Sequence, residues 1–306
     1  MKKLKPKKIG VLGPPNAGKT SILSILKQEY EGIKDIKPTK GVERSFFQLM
    51  SDDLVVWDYG GQEIYQERYL RSAEKYLNDL DFVYYVVDVQ ANTHEKNIAY
   101  LQKLYEKIIE FNKEVVFVLV FNKLDPDLKN RIQIYEEIIE KIPDYKKIID
   151  PNKHKLYYYF TSIYDALTII TVFSEILVEA EFRKKIKEIL IQELQGLPII
   201  LSLVLSSGWF RIGGVESEES KTEVMKDFLK ELTKNLKTVS SEDLTNSVII
   251  NDLQVNMARF YVHNEQFYLA ISYKMDDKTL HAEVTEKIPI ILEKIKDIIE
   301  RFGDIL

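Results

Sequence analysis

Two stretches, FVYYVVD at residues 82–88 and VVFVLVFN at 115–122, are apolar almost without a break. A strand has this composition when both faces of its sheet are covered, as in the centre of a parallel sheet flanked by helices. Between them, NIAYLQKLYEKIIEF (97–111) repeats apolar residues near a 3.6-residue period, the spacing of a helix with one buried face. Further strands are predicted at Ile9–Leu12, Phe46–Met50, Leu54–Trp57 and Leu156–Phe160. The alternation predicts an α/β fold over residues 1–180: a doubly wound, mostly parallel sheet with helices on both faces.

The pattern changes near residue 181. EFRKKIKEILIQEL predicts an amphipathic helix that stops before Gly196 and Pro198. An apolar run at Ile199–Leu205, a short segment at Trp209–Ile212 and a charged helix over about 219–236 follow. NSVIINDLQVNMARFYVHNEQFYLAISYK then predicts strands with a turn at His263–Glu265, and 285–302 a last helix. With 306 residues the chain is long for one domain, and a smaller α+β domain is expected at 181–306.

Composition narrows the chemistry. A net charge of −5 with mixed signs throughout argues against a general nucleic-acid binder. The absence of cysteine removes disulfides, thiolate metal sites, cysteine nucleophiles and cysteine-linked lipids. No apolar run is long enough to span a bilayer, and the basic start MKKLKPKK leads into a strand and not a signal-peptide core. A cytoplasmic protein is expected. The four histidines, 94, 154, 263 and 281, lack metal-ligand spacing and are expected at the surface or in satisfied positions.

GPPNAGKT (13–20) fits G-x-x-x-x-G-K-[ST] and lies between a strand and a helical pattern, the context that motif needs. Backbone N–H groups from Gly13 through Asn16, Ala17 and Gly18 to Lys19, Thr20 and Ser21 can meet phosphates at the helix start. Lys19 supplies a cation to the β/γ oxygens and Thr20 a hydroxyl to Mg²⁺. Pro14 and Pro15 lack an N–H, so the early loop must use other donors. LVVWDYGGQ (54–62) ends an apolar strand in Asp58, a carboxylate able to hold Mg²⁺ through water. Gly60 and Gly61 allow a backbone N–H close to a γ-phosphate. Gln62, a neutral donor and acceptor, can orient a water. FNKLD (121–125) ends another strand: Asp125 can accept from the N1–H and exocyclic amine of guanine, a donor pair adenine lacks. Lys123 can lie along the base and Asn122 can tie this loop to the phosphate loop. FTSIYD (160–165) can offer backbone groups of Ser162 and Ile163 to the guanine carbonyl.

In this order the motifs resemble the Ras-like GTPase superfamily over roughly residues 7–180. The resemblance implies GTP and GDP as ligands, Mg²⁺ held by Thr20, Asp58 and a switch threonine, and slow hydrolysis with Gln62, Lys19 and Thr39 as catalytic residues. Thr39, in IKPTKGVERSFF, is the threonine available between the phosphate loop and WDYGGQ. Arg44 and Arg68 are expected to be solvated rather than to act as arginine fingers. Pro15 stands where Ras-type enzymes usually have a glycine, which disfavours a finger entering as it does there.

Two branches compete. PTKG and WDYGGQE look like Arf-type proteins, while TSIYD (161–165) looks like the corresponding stretch of the Rag/Gtr GTPases. That second family carries a C-terminal roadblock (longin-like) domain, and the element order over 181–306 is similar to it. It implies a switch that dimerises through residues 181–306, with itself or with a paralogous GTPase. Regulatory or effector proteins would bind the switch regions, a roadblock-type scaffold could provide membrane contact, and neither nucleic acid nor a direct lipid anchor is expected. The alternatives are an Arf-like GTPase with an unrelated C-terminal domain, and a GTP-binding scaffold with negligible turnover.

Overall fold

The computed structural model describes residues 6–30, 33, 36–49, 52–125, 128, 132–206, 210–217, 228–236, 246–250, 252–275 and 278–302. They form two compact units. One holds residues 1–47 and 52–169, the other 48–51 and 170–306. The division at 169/170 falls inside the helix that precedes the 180/181 boundary expected from composition.

The first unit is a six-stranded sheet. Its strands are β1 (Lys7–Leu12), β2 (Val42–Leu49), β3 (Asp52–Tyr59), β4 (Phe82–Asp88), β5 (Val116–Asn122) and β6 (Leu156–Thr161), in the order β2-β3-β1-β4-β5-β6. The β1–β3, β1–β4, β4–β5 and β5–β6 pairs are parallel. Helices α1 (Lys19–Leu26), α2 (Glu63–Arg71), α3 (Ala73–Leu77), α4 (His94–Phe111) and α5 (Ile132–Lys146) follow or connect them, and the unit division falls within α6 (Ala166–Leu177). Every strand predicted in this unit is present, most with at least one end extended, while β5 starts one residue later than the apolar run at Val115. Met50, which closed one prediction, lies outside the described residues.

Burial explains the unbroken apolar runs. Val83, Tyr85 and Val87 of β4 join Phe117, Leu119 and Phe121 of β5 in a core with Leu101, Leu104 and Ile108 of α4. The intervening Tyr84, Val86, Val118 and Val120 are buried as well, with neither face of these strands left open. The strand order turns back beside β1, whose neighbours are β3 and β4. Ligands of open α/β sheets bind at the carboxyl ends of strands where the order reverses. Register sets the same ends level: Val11 faces Asp58, Asp88 faces Asn122, and Asn122 faces Thr161.

The second unit is an antiparallel sheet of β7 (Ile199–Ser206), β8 (Arg211–Glu216), β9 (Asn246–Ile250), β10 (Leu253–Val262) and β11 (Glu265–Lys274), ordered β8-β7-β11-β10-β9. Helices α7 (Ala180–Glu193), α8 (Phe228–Leu236) and α9 (Lys278–Phe302) accompany it. Gly196 takes φ 82 just beyond α7, the left-handed conformation that ends a helix. The β10–β11 hairpin turns through His263 and Asn264, both at positive φ, as a tight two-residue turn requires. Gly213 is needed for packing: a Cβ there would come within 2.1 Å of the Ile186 side chain of α7. Residues 219–227 of the predicted charged helix, and Trp209, lie outside the described residues.

Candidate nucleotide-binding site

At the carboxyl end of β1 the chain enters a loop shaped by its glycines. Gly13 has φ 142, and a Cβ on it would lie 2.2 Å from the Val86 carbonyl oxygen. Gly18 has φ 90, and a Cβ there would strike the Asn122 amide at 2.3 Å. Gly18 is also the N-cap of α1, and no side chain caps that end. The first N–H groups of the helix therefore have no intrahelical or side-chain acceptor, the arrangement that binds anions.

Lys19, 6% exposed, curls back across this loop. Its ammonium donates to the carbonyls of Gly13 (3.0 Å) and Pro14 (2.7 Å). Burial lowers its pKa to about 8, and the Asp58 charge works in the opposite direction. A polyanion beside it would restore the charged form. Pro14 still contributes to the loop, supplying an acceptor although it lacks an N–H.

Thr20, Thr39 and Asp58 converge. The Thr20 and Thr39 hydroxyls each donate to Asp58 Oδ2, at 2.7 and 3.0 Å, and lie 2.9 Å from one another. Asp58 Oδ1 is buried and has no hydrogen-bond partner. Thr39, expected from the sequence as the switch threonine, is thus 8% exposed against the carboxylate at the end of β3. Among the described residues no group of three or more His, Cys, Asp or Glu could hold a metal. One orphan carboxylate oxygen with two hydroxyls suits Mg²⁺, a hard ion that keeps several waters and takes phosphate oxygens.

Gly61 lies against the phosphate loop. A Cβ there would come within 2.5 Å of the Lys19 ammonium and 2.6 Å of the Pro14 carbonyl. Gln62 is exposed, caps α2 in an extended conformation and lines a cavity of about 650 Å³. Asn16, Gly18, Lys19, Thr20, Ser21, Thr39, Gly61 and Lys123 line the same cavity. Arg44 and Arg68 do not. The Arg44 guanidinium stacks 4.1 Å from the Trp57 ring centroid, and that of Arg68 lies 5.4 Å from Tyr65.

The 122–125 loop is tied to its surroundings at each residue. Buried Asn122 donates to the Ala17 carbonyl (2.8 Å) and accepts from the Thr161 hydroxyl (2.9 Å). Lys123, at φ 66, donates to Asp88 Oδ2 (2.6 Å). Asp125 Oδ1 accepts from the Ser162 hydroxyl (2.6 Å), and half-buried Ile163 follows. Sequence reasoning missed Asp88 and Thr161. Their place at strand ends marks both, but their partners lie far away in the chain, beyond any local pattern.

Comparison with known proteins fits this geometry. A family model described as the Gtr1/RagA G protein conserved region matches residues 8–199. The chain belongs to this family. Of the two branches weighed from the sequence, the Rag/Gtr one is therefore correct. GTP-binding protein GTR1 of Saccharomyces cerevisiae is 23% identical over 293 residues, covering 84% of this chain and 91% of that protein. Ras-related GTP-binding protein A of Dictyostelium discoideum is 27% identical over 123 residues, 39% of this chain and 41% of that protein. GTPase Der of Nautilia profundicola is 30% identical over 151 residues, 46% of this chain and 29% of that protein. The chain thus spans less than half the length of the last two, and nearly all of the first.

Proposed function

We propose that this Gtr1/RagA family chain is a guanine-nucleotide switch that binds GTP and GDP with Mg²⁺, hydrolyses GTP slowly, and dimerises through its C-terminal region. The observation that carries the reading is the Thr20–Thr39–Asp58 cluster, with one buried carboxylate oxygen lacking a partner beside the uncapped start of α1.

Thr20, Thr39 and Asp58, the last through water, would hold Mg²⁺, which when bound neutralises phosphate charge. The backbone from Gly13 to Ser21 cradles the β-phosphate and Lys19 balances the charge on the β/γ oxygens. Gln62 orients a water for in-line attack on the γ-phosphorus. The new P–O bond forms as the bond to the β–γ bridging oxygen breaks, releasing GDP and inorganic phosphate. Among the described residues no arginine lines the cavity, so slow unaided turnover is expected. Asp125 selects guanine, with Ser162 and Ile163 at its carbonyl edge.

Residues 181–306 are the expected roadblock-like dimerisation domain, pairing with a second copy or a paralogous GTPase. The five-stranded antiparallel sheet with its helices supports this. Effectors would read the Thr39 and Gly61–Gln62 segments, and a cytoplasmic setting with membrane contact through a scaffold fits such a switch. Among the described residues no helix is long and apolar enough to cross a membrane.

The test is direct. The full chain should retain GDP and GTP but not ADP, lose nucleotide faster when EDTA removes Mg²⁺, and release phosphate from GTP over minutes to hours. Equal retention of adenine nucleotides, or no retention of either, would overturn the reading.

A further inference from the structure

The turn leaving β4 closes on the guanine loop through contacts that none of the motifs requires. The Val89 N–H donates to the Asn122 carbonyl (3.0 Å). Asp88 holds the Lys123 ammonium through Oδ2 and accepts from the Gln90 N–H (2.9 Å) through Oδ1. The Gln90 side-chain amide then donates to the Lys123 carbonyl (2.8 Å) and lies 3.4 Å from Asp125 Oδ2.

Two features give this turn a purpose. Lys123 is a non-glycine residue at positive φ, a conformation that persists only when its surroundings hold it. Gln90 holds the carbonyl of that residue, and Asp88 its side chain. The second feature is the carboxylate. Ser162 donates to Asp125 Oδ1, and the Gln90 amide stands beside Oδ2. An ionised carboxylate has about four acceptor positions, so each oxygen keeps room for a donor from a base.

We infer that Gln90 is a positioning residue for guanine recognition: it fixes the strained Lys123 turn and sets the plane of the Asp125 carboxylate before a base arrives. This rests on the assignment of Asp125 as the guanine-reading group. Gln90 is exposed, so truncating it opens no core. Its effect should fall on base discrimination rather than on folding.

The experiment is competition of GDP and IDP against a fluorescent GDP on the full chain, for wild type, Gln90→Ala and Gln90→Glu. IDP lacks the exocyclic amine, so the GDP:IDP affinity ratio reports how well Asp125 meets both donors. In Gln90→Ala, GDP affinity should fall about three- to tenfold, the scale of one lost hydrogen bond, with a smaller loss for IDP and a narrower ratio. Gln90→Glu, which cannot donate to Lys123 and places a second anion beside Asp125, should narrow it further. A ratio equal to wild type in both variants, or equal losses for the two nucleotides, overturns the inference. A wild type that does not distinguish GDP from IDP overturns the Asp125 assignment, and this role with it, which separates the two failures.

Discussion

Gln62 is the residue proposed to orient the attacking water. It is exposed at the cap of α2, lines the cavity, and makes no hydrogen bond through its side chain to the cluster that would hold the metal and phosphates. Replacing it with leucine keeps the helix and removes the water's partner. Gln62→Leu is expected to slow single-turnover hydrolysis on the order of a hundredfold while GTP affinity stays near wild type. Equal rates would remove Gln62 from the mechanism. Asp125 gives a complementary test at the base. Asparagine offers an amide donor where the carboxylate accepts, so it mismatches the guanine amine and matches the xanthine carbonyl. Asp125→Asn should weaken GTP on the order of a hundredfold or more and improve xanthosine triphosphate, read by competition binding. An unchanged preference would mean that the base is read elsewhere.

Between elements, the Thr39 segment and α2 meet at one backbone oxygen. The Gly41 carbonyl accepts from the Gly60 N–H (2.8 Å) and from the Tyr69 hydroxyl (2.7 Å). Tyr69 is 1% exposed and packs edge-on against Tyr59 and Tyr76, so its ring cannot swing away without repacking. Burial raises its pKa, so the phenol stays a donor at ordinary pH. Tyr69→Phe keeps the ring and deletes the bond, at a cost of about 1 kcal/mol. Amides at 39–41 should exchange faster with deuterium in this variant, and α1 amides should not. Unaltered exchange at 39–41 would show that Gly60 alone holds the segment.

The same scale shows what the sequence carries and what it withholds. Apolar runs flanked by a glycine turn and a helix pattern place β1, β3, β4 and β5 and the motifs at their ends, because those signals are local. Strand ends extend past the prediction where polar residues continue a ladder: Lys7 and Lys8 lack an apolar cue, yet pair with Leu54 and Val55. Helix α9 begins at Lys278 rather than 285 because its first turns, KTLHAEV, hide their buried Leu280 and Val284 among polar neighbours. His154 was expected at the surface or satisfied. It is neither: it is buried against the rings of Tyr105 and Phe117 with its Nδ1 lacking a hydrogen-bond partner, contacts that come from distant parts of the chain and leave no mark on its local sequence. Thr39 was legible as the threonine between two motifs, and the fold adds its hydrogen bonds to Thr20 and Asp58.

For the whole molecule, the unit division decides how dimerisation should be tested. A fragment cut at residue 181 follows the composition change but removes residues 170–180 from the second unit's main segment, Ile170–Leu306. The Ser174 hydroxyl accepts from the Arg211 N–H at 2.7 Å, and Arg183 donates to the carbonyls of Val178 and Glu175. Ile170, Val172 and Phe173 are buried on the same helix. Losing them exposes apolar surface and strands a backbone donor at the edge strand β8. A fragment of residues 166–306 should therefore unfold at a clearly higher temperature than one of 181–306, which should scatter as heterogeneous aggregate. On the longer fragment, light scattering should give twice the chain mass, with GDP and GTP analogues making no difference because the nucleotide residues are absent. A stable monomer at every concentration would sink self-pairing and leave a paralogous GTPase as the required partner. An aggregate would not count as a dimer, which is why the cut must follow the hydrogen bonds of α6 and not the change in composition.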